Sequence, residues 1–202
     1  MGKKKVVRIS VLVSGNGSNL QALIDAIENG EIENAKIVQV ISSNASAYAI
    51  ERAENHDIPV NIITKHDYAD IRDRMDAILE MLRCESTDLV VLAGYMSILP
   101  KKVIDAYEER IINVHPALLP KHGGKECYGM KVHEKVIAAG ETESGATVHY
   151  VDEGIDTGRI IIQGIVPVKA SDTPELLRER VLVKEHQILP EAVRMVMREK
   201  GW

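Results

Sequence analysis

The sequence predicts an α/β protein in which a Rossmann-like, mostly parallel sheet is flanked by helices and ends in a C-terminal antiparallel strand pair. Short runs rich in Val and Ile alternate with segments whose apolar residues recur at helical spacing, which is typical of βαβ units with buried strands. After Pro116 this alternation stops, and two strand-like segments follow each other across a short loop, as in an antiparallel pair. The 202 residues contain no repeat or linker, so we expect one domain over 1–202 with a basic N-terminal tail at 1–5.

Each element is predicted from its own pattern. Apolar runs predict strands at 6–13, 37–41, 60–63, 89–93, 111–114, 147–151 and 159–166. Apolar residues at helical spacing predict helices at 20–27, 47–55, 71–82, 130–139 and 174–196. Gly30 ends the first helix, and Asp172, Thr173 and Pro174 open the last one with a helix-start signature. Pro190 is expected to break or kink that last helix, because proline lacks the amide hydrogen of a helical bond.

The composition excludes several classes of protein. Apolar residues make up 45% and charged residues 27%, which argues against a mostly disordered chain. No apolar run approaches the roughly 18 residues of a membrane span, so we expect no membrane partner. The net charge of −5 argues against a nucleic-acid partner, because such binders usually carry a basic surplus. Cys84 and Cys127 lie far apart, which is typical of free thiols in a reducing cytoplasm.

A glycine-containing loop between the first strand and the first helix predicts a phosphate site. Glycines let the backbone turn sharply, and the first amides of the following helix point at an anion. A dinucleotide is disfavoured, because Leu20 replaces the third glycine of that fingerprint and no carboxylate occurs between Lys36 and Ile50. The loop also lacks the lysine of a nucleoside-triphosphate loop. A small phosphomonoester therefore fits best, and the candidate substrate-binding residues are Gly15, Asn16, Gly17, Ser18 and Asn19.

A second set of candidates combines an amide, an imidazole and a carboxylate. Period-two alternation puts Asn113 and His115 on the same side of the fifth strand, near the edge where open α/β sheets bind ligands. The loop after the next strand supplies Asp156. An amide that stabilises an oxyanion, a histidine that moves protons and an aspartate that raises the histidine pKa suit a carbonyl reaction. The alternative is an ordinary loop histidine and a turn carboxylate. The histidines have no tight metal-ligand spacing, so no metal site is expected.

Four segments in order carry a family resemblance: SGNGSN at 14–19, LAGYMSIL at 92–99, NVHPALLP at 113–120 and GIDTG at 154–158. Together they closely resemble the phosphoribosylglycinamide formyltransferases, folate-dependent enzymes of purine synthesis, from residue 6 to about residue 196. The resemblance implies that 10-formyltetrahydrofolate is the cosubstrate and that the amine of glycinamide ribonucleotide attacks its formyl carbon. The expected partners are thus small molecules, and the chain is expected to be a monomer or a homodimer.

The resemblance also implies residue roles. Asn113 would hold the formyl oxygen, His115 would donate the proton and Asp156 would keep His115 protonated. Thr147 and His149 match positions that support these side chains, and Glu185 matches a glycinamide contact. The walls of the folate pocket would be formed by Met96, Ser97, Ile98, Leu99, Asn113, Asp152, Glu153, Gly154, Ile155 and Asp156.

The chain departs from the family pattern at a few positions. Ser97 stands where Arg is common, Leu182 stands where a polar residue is common, and the loop 121–128 reads differently. The nearest alternative is a formyltetrahydrofolate deformylase on the same catalytic domain, which is expected to carry an additional N-terminal regulatory domain. A methionyl-tRNA formyltransferase is expected to carry a further C-terminal domain. The alternatives from other classes are a non-catalytic nucleotide-binding module and a nicotinamide oxidoreductase, and the incomplete dinucleotide fingerprint disfavours the second.

Overall fold

A seven-stranded mixed sheet forms the centre of the computed structural model, which describes residues 5–68 and 70–202. The strands lie in the order β3-β2-β1-β4-β5-β6-β7. Their bounds are β1 Val7–Val13, β2 Ala35–Ser42, β3 Val60–Ile62, β4 Leu89–Leu92, β5 Ile111–His115, β6 Glu143–Tyr150 and β7 Ile160–Pro167. The helices are α1 Ser18–Glu28, α2 Ala49–Glu54, α3 Ile71–Cys84, α4 Lys101–Ala106, α5 Met130–Ala138 and α6 Pro174–Glu199.

The strand pairing confirms the predicted fold class, and it includes one more antiparallel pair than the sequence predicted. Strands β1 to β5 pair in parallel, whereas β6 runs antiparallel to both β5 and β7. The sequence predicted only the β6–β7 pair as antiparallel. Strand β6 also begins at Glu143, four residues before the predicted start, because Ser144, Gly145 and Ala146 pair with β7 although they form no apolar run.

Two apolar layers hold the helices against the sheet. Val11 and Val13 of β1 belong to the layer that also contains residues of α1 and α6, while Leu12 faces the layer that contains residues of α3 and α4. Neighbouring residues of a strand point to opposite faces, so a strand covered on both faces reads as one continuous apolar run. This explains why the parallel strands could be predicted from sequence.

Two helical features differ from the prediction. Helix α4 was not predicted, because its six residues bury only Val103 and Ile104 and show no extended periodicity. Helix α6 continues from Pro174 to Glu199 through Pro190, so the predicted break does not occur. Pro190 is buried beside Leu189 and Val193, and the apolar contacts of this face offset the loss of one helical hydrogen bond. In the described part of the chain, no helix is both long and apolar enough to cross a membrane.

Candidate active site

Strand β5 carries two of the candidate catalytic side chains at its carboxyl end. Asn113 and His115 lie two residues apart and therefore on one face, and His115 is only 4% exposed. The antiparallel register places His149 of β6 opposite Asn113, and Thr147 of β6 opposite His115. Strand pairing thus brings four polar side chains from two segments into one patch.

Asp156 reaches this patch from the loop between β6 and β7. Its Oδ2 atom lies 3.4 Å from His115 Nδ1, and its Oδ1 atom lies 3.6 Å from His149 Nε2. The backbone of Asp156 has a positive φ of 58°, a conformation that Asp tolerates better than most residues. A side chain at Gly158 would collide with the carbonyl oxygen of Tyr150, so a glycine there lets the loop return closely to β6. The structure therefore brings the predicted trio of Asn, His and Asp together.

The pKa of His115 differs from the sequence-based expectation. Burial lowers it below its ordinary value and outweighs the Asp156 carboxylate, which raises it. Burial alone would raise the pKa of Asp156, but the neighbouring His149 and His115 and the amide of Gly124 lower it overall. Asp156 therefore remains ionised near neutral pH and opposes, without reversing, the effect of burial on His115.

The loop 121–128, which departs from the family pattern, covers His115. The Nε2 atom of His115 donates to the carbonyl oxygen of His122 at 2.9 Å, and the amide of Gly124 donates to Asp156 Oδ2 at 3.0 Å. The ring of His115 thus has an acceptor at each nitrogen, which suits its protonated form. The sequence did not predict the contact between this loop and His115. The acceptor is a backbone carbonyl, which every residue carries, so no residue type marks it.

His149 orients the amide of Asn113. The Nδ1 atom of His149 lies 2.8 Å from the carbonyl oxygen of Tyr150, which only accepts, so Nδ1 carries the hydrogen. In the neutral ring Nε2 then accepts from Asn113 Nδ2 at 3.2 Å. One amide hydrogen of Asn113 is fixed in this way, and the other has no acceptor among the described residues.

Thr147 ties the segment after His115 to β6. Its Oγ1 atom donates to the carbonyl oxygen of Ala117 at 2.7 Å and accepts from the amide of Leu119 at 3.1 Å. Gln163 of β7 donates to the same oxygen and to the carbonyl oxygen of Leu119, each at 2.9 Å. A fully buried hydroxyl therefore satisfies polar groups of the chain that leaves the active site.

Replacing Thr147 by Val should lower the free energy of unfolding by about 1–3 kcal/mol, because it leaves buried backbone groups unpaired without changing the side-chain shape. Urea unfolding of the two proteins measures the difference. Thr142→Val is the matched control, since Thr142 is exposed and should change stability by no more than about 0.5 kcal/mol. Equal losses in both variants would contradict this structural role of Thr147.

Gly17 lets the backbone of the glycine loop pass close to α2. Gly17 precedes α1 with a positive φ of 75°, and a Cβ atom there would lie only 2.6 Å from Ala49 Cβ. Ser18 is the first residue of α1, whose first turn holds no acidic residue. Arg52 of α2 donates to the carbonyl oxygen of Asn16 at 2.9 Å and to its side-chain oxygen at 3.2 Å. Sequence reasoning missed Arg52, because nothing local marks a contact 36 residues away.

Asn19 and Glu185 meet across 166 positions of the chain. Asn19 Nδ2 donates to Glu185 Oε2 at 2.6 Å, and each residue is 8% exposed. Burial raises the pKa of Glu185 to about 7, although the Asn19 hydrogen bond and the charge of Arg178 oppose the shift. Leu182, one turn earlier on α6, is half-buried. Asn19, a candidate for binding the phosphate, and Glu185, a candidate for binding the glycinamide, are therefore in direct contact.

The raised pKa of Glu185 makes stability depend on pH. Between the ordinary pKa of 4.5 and about 7, the folded protein keeps a proton that the unfolded chain releases, so the free energy of unfolding falls as pH rises through this window. Glu185→Gln should remove that fall, making the variant more stable than wild type by roughly 2–4 kcal/mol at pH 8 but not at pH 4. Urea titrations at several pH values test this, with the exposed Glu179→Gln as control. A stability gap that is constant with pH would contradict it.

Each predicted wall of the folate pocket is held in place by hydrogen bonds or ion pairs. The amide of Met96 donates to Ser14 Oγ at 2.9 Å, and Met96 and Ile98 are exposed while Leu99 is buried.

In the other wall, Asp152 accepts from the amide of Gly154 at 3.0 Å and from Thr157 at 2.7 Å. Lys101 of α4 pairs with Glu153, which connects this second wall to the helix after the first. Ile155 is 40% exposed, so each wall presents apolar surface to a ligand. Within the described residues, no group of three or more His, Cys, Asp or Glu side chains is placed to hold a metal ion.

Known proteins are similar to this chain over nearly its whole length. The formyl transferase family model matches residues 7–193. The phosphoribosylglycinamide formyltransferase of Haemophilus influenzae is 41% identical over 183 residues, which cover 91% of this chain and 84% of that protein. The trifunctional purine biosynthetic protein adenosine-3 of Chironomus tentans is 41% identical over 192 residues, which cover 94% of this chain. The chain spans only 14% of the length of that second relative.

A solved structure agrees with the fold. The crystal structure of glycinamide ribonucleotide transformylase 1 from Symbiobacterium toebii matches with a TM-score of 0.88 and 40% sequence identity. The match covers 94% of this chain and 86% of that chain. The likeness therefore extends over nearly the whole chain.

Proposed function

Because this chain belongs to the formyl transferase family, we propose that it transfers a formyl group from 10-formyltetrahydrofolate to the amine of 5'-phosphoribosylglycinamide. The products would be formylglycinamide ribonucleotide and tetrahydrofolate, in the biosynthesis of purines. The observation that carries this proposal is the convergence of Asn113, His115 and Asp156 at the carboxyl ends of the strands. We keep the cytoplasm as the expected location and small molecules as the expected partners.

The reaction requires a carbon–nitrogen bond to form before another breaks. The neutral amine of the ribonucleotide attacks the formyl carbon, and the formyl oxygen becomes an oxyanion. The free amide hydrogen of Asn113, which His149 orients, would stabilise that oxyanion. Collapse of the intermediate breaks the bond to N10 of the folate, which takes a proton, while the attacking nitrogen loses one.

His115 and Asp156 would manage these protons. In the proposal, the oxyanion takes the place of the His122 carbonyl as the acceptor for His115 Nε2. A negative charge there would raise the pKa of His115, adding to the effect of Asp156 and opposing burial. A larger fraction of His115 would thus be protonated at the step in which the leaving nitrogen needs a proton.

The ribonucleotide would lie between the glycine loop and α6. Amides at the start of α1 would bind its phosphate, with Ser18 and Asn19 as side-chain donors. Glu185, which already accepts from Asn19, would accept a second hydrogen bond from the glycinamide end. The folate would lie along the exposed apolar residues Met96, Ile98 and Ile155.

The first experiment measures formyl release from 10-formyltetrahydrofolate with and without glycinamide ribonucleotide. The proposal expects turnover only with the ribonucleotide, and recovery of the formyl group on its amine. Turnover in water alone would identify a hydrolase instead. No turnover, with both ligands bound, would overturn the proposed reaction while keeping the two binding sites.

A further inference from the structure

The turn at 120–124 presents a backbone carbonyl to His115. The carbonyl oxygen of His122 lies 2.9 Å from His115 Nε2, and the amide of Gly124, two residues later, donates to Asp156 Oδ2 at 3.0 Å. His122 has a positive φ of 53°, a conformation that residues with a Cβ atom rarely adopt. Because such a backbone persists only where surrounding contacts hold it, the contacts of His122 decide where its carbonyl points.

Glu141 holds the side chain of His122. It lies between α5 and β6, and its Oε1 atom is 3.3 Å from His122 Nε2. The same carboxylate accepts from Lys121 Nζ, at 2.9 Å through Oε2 and at 3.2 Å through Oε1. Lys121 and His122 together lower the pKa of Glu141, so this carboxyl is ionised near neutral pH. One carboxylate thus ties two consecutive residues of the turn to the segment that precedes β6.

The His122 carbonyl acts on the charge of His115. Burial lowers the pKa of His115, while the Asp156 carboxylate and the hydrogen bond to the His122 carbonyl raise it. The titratable groups that face His115 from other segments of the described chain are Asp156, His149, His122 and His133. Charge on the ring of His149 or His122 lowers the pKa of His115. A movement of the carbonyl away from Nε2 would therefore lower this pKa even if Asp156 stayed in place.

We propose that Glu141 is a positioning residue for the proposed reaction: it holds His122 so that the backbone carbonyl accepts from His115 Nε2 until the substrates bind. This inference rests on the proposed function, in which the oxygen of the reacting formyl group replaces that carbonyl. In the free protein Glu141 then helps to keep His115 protonated, and in the substrate complex it no longer acts on the ring. Asp156 differs, because its carboxylate faces His115 in both states.

The first test is the titration of His115, followed by nuclear magnetic resonance in the full chain without substrates. His115→Gln assigns the signal of this ring. Replacing Glu141 by Met removes both acceptor oxygens and keeps the length of the side chain. We expect the pKa of His115 to be lower by about half a pH unit or more in this variant, because the carbonyl is no longer held at Nε2. A titration that matches wild type would overturn the inference.

Two further variants separate positioning from a change of charge. Glu141→Gln loses the same charge but keeps an oxygen that accepts from His122, so it should recover more than about half of the displacement. Glu143→Met removes an exposed carboxylate two positions further along the chain and should titrate like wild type. Equal displacement in Glu141→Met and Glu141→Gln would assign the effect to charge and overturn the positioning role. Glu141→Leu, which also lacks an acceptor, replaces Glu141→Met if that variant does not fold.

Steady-state kinetics tests the part that depends on the reaction. The descending limb of kcat/KM reports the free enzyme, and that of kcat reports the substrate complex. In Glu141→Met the limb of kcat/KM should move to lower pH with the titration of His115, whereas the limb of kcat should stay within about 0.2 pH unit of wild type. Equal movement of both limbs would contradict a role that ends when the substrates bind, and would overturn the inference. If wild type transfers no formyl group, the proposed function fails, but the titrations still decide whether Glu141 positions the carbonyl.

Discussion

Replacing Asp156 by Asn should lower kcat by about 10²- to 10⁴-fold while the protein stays folded. Asparagine keeps the size of the side chain and an oxygen that accepts from the amide of Gly124, so the loop contact survives. The charge that lies 3.4 Å from His115 Nδ1 is lost. Because burial already lowers the pKa of His115, removing the opposing carboxylate should lower that pKa further.

The pH profile separates this role from simple damage. If protonated His115 is the acid, activity falls as pH rises through its pKa. Asp156→Asn lowers that pKa further, so the descending limb of kcat should move to lower pH. The measurement is kcat against pH for wild type, Asp156→Asn and Asp105→Asn, whose exposed carboxylate on α4 serves as control. Unchanged activity and an unchanged profile in Asp156→Asn would refute the assignment.

Replacing Asn113 by Ala should lower kcat by about 10²- to 10³-fold, which is the usual effect of losing one oxyanion donor. The amide does not titrate, so the positions of the limbs in the pH profile should stay close to those of wild type. The contrast between the two variants is the informative result: both are slow, but only Asp156→Asn has a displaced profile.

Steady-state kinetics with both substrates measures the Asn113 effect, and circular dichroism with urea unfolding verifies the fold. A rise in KM with kcat preserved would assign Asn113 to substrate binding alone. His149→Phe tests the orientation separately. It removes the acceptor 3.2 Å from Asn113 Nδ2 and should reduce kcat less than Asn113→Ala does.

Much of this architecture was predictable because it is encoded in local patterns. Continuous apolar runs identified the parallel strands, since strands covered on both faces have no polar alternation. The order of the motifs identified the family, and period-two spacing placed Asn113 and His115 on one side of β5. The break that was one of the two predicted effects of Pro190 does not occur, for the complementary reason. A local rule about proline omitted the apolar face of α6 that packs on the sheet.

Local patterns in the sequence were sufficient to predict the fold class, the residue types of the candidate site and the strand ends that carry them. The contacts between distant segments became visible only in the folded chain: Asn19 with Glu185, Arg52 with Asn16, and the carbonyl of His122 with His115. The packing around His115 also lowers the pKa of its ring through burial. Patterns of neighbouring residues specify strands and helices, because those depend on local backbone preference and on which face is apolar. Desolvation and long-range hydrogen bonds depend on everything packed around a group, which the spacing of residues along the chain does not contain.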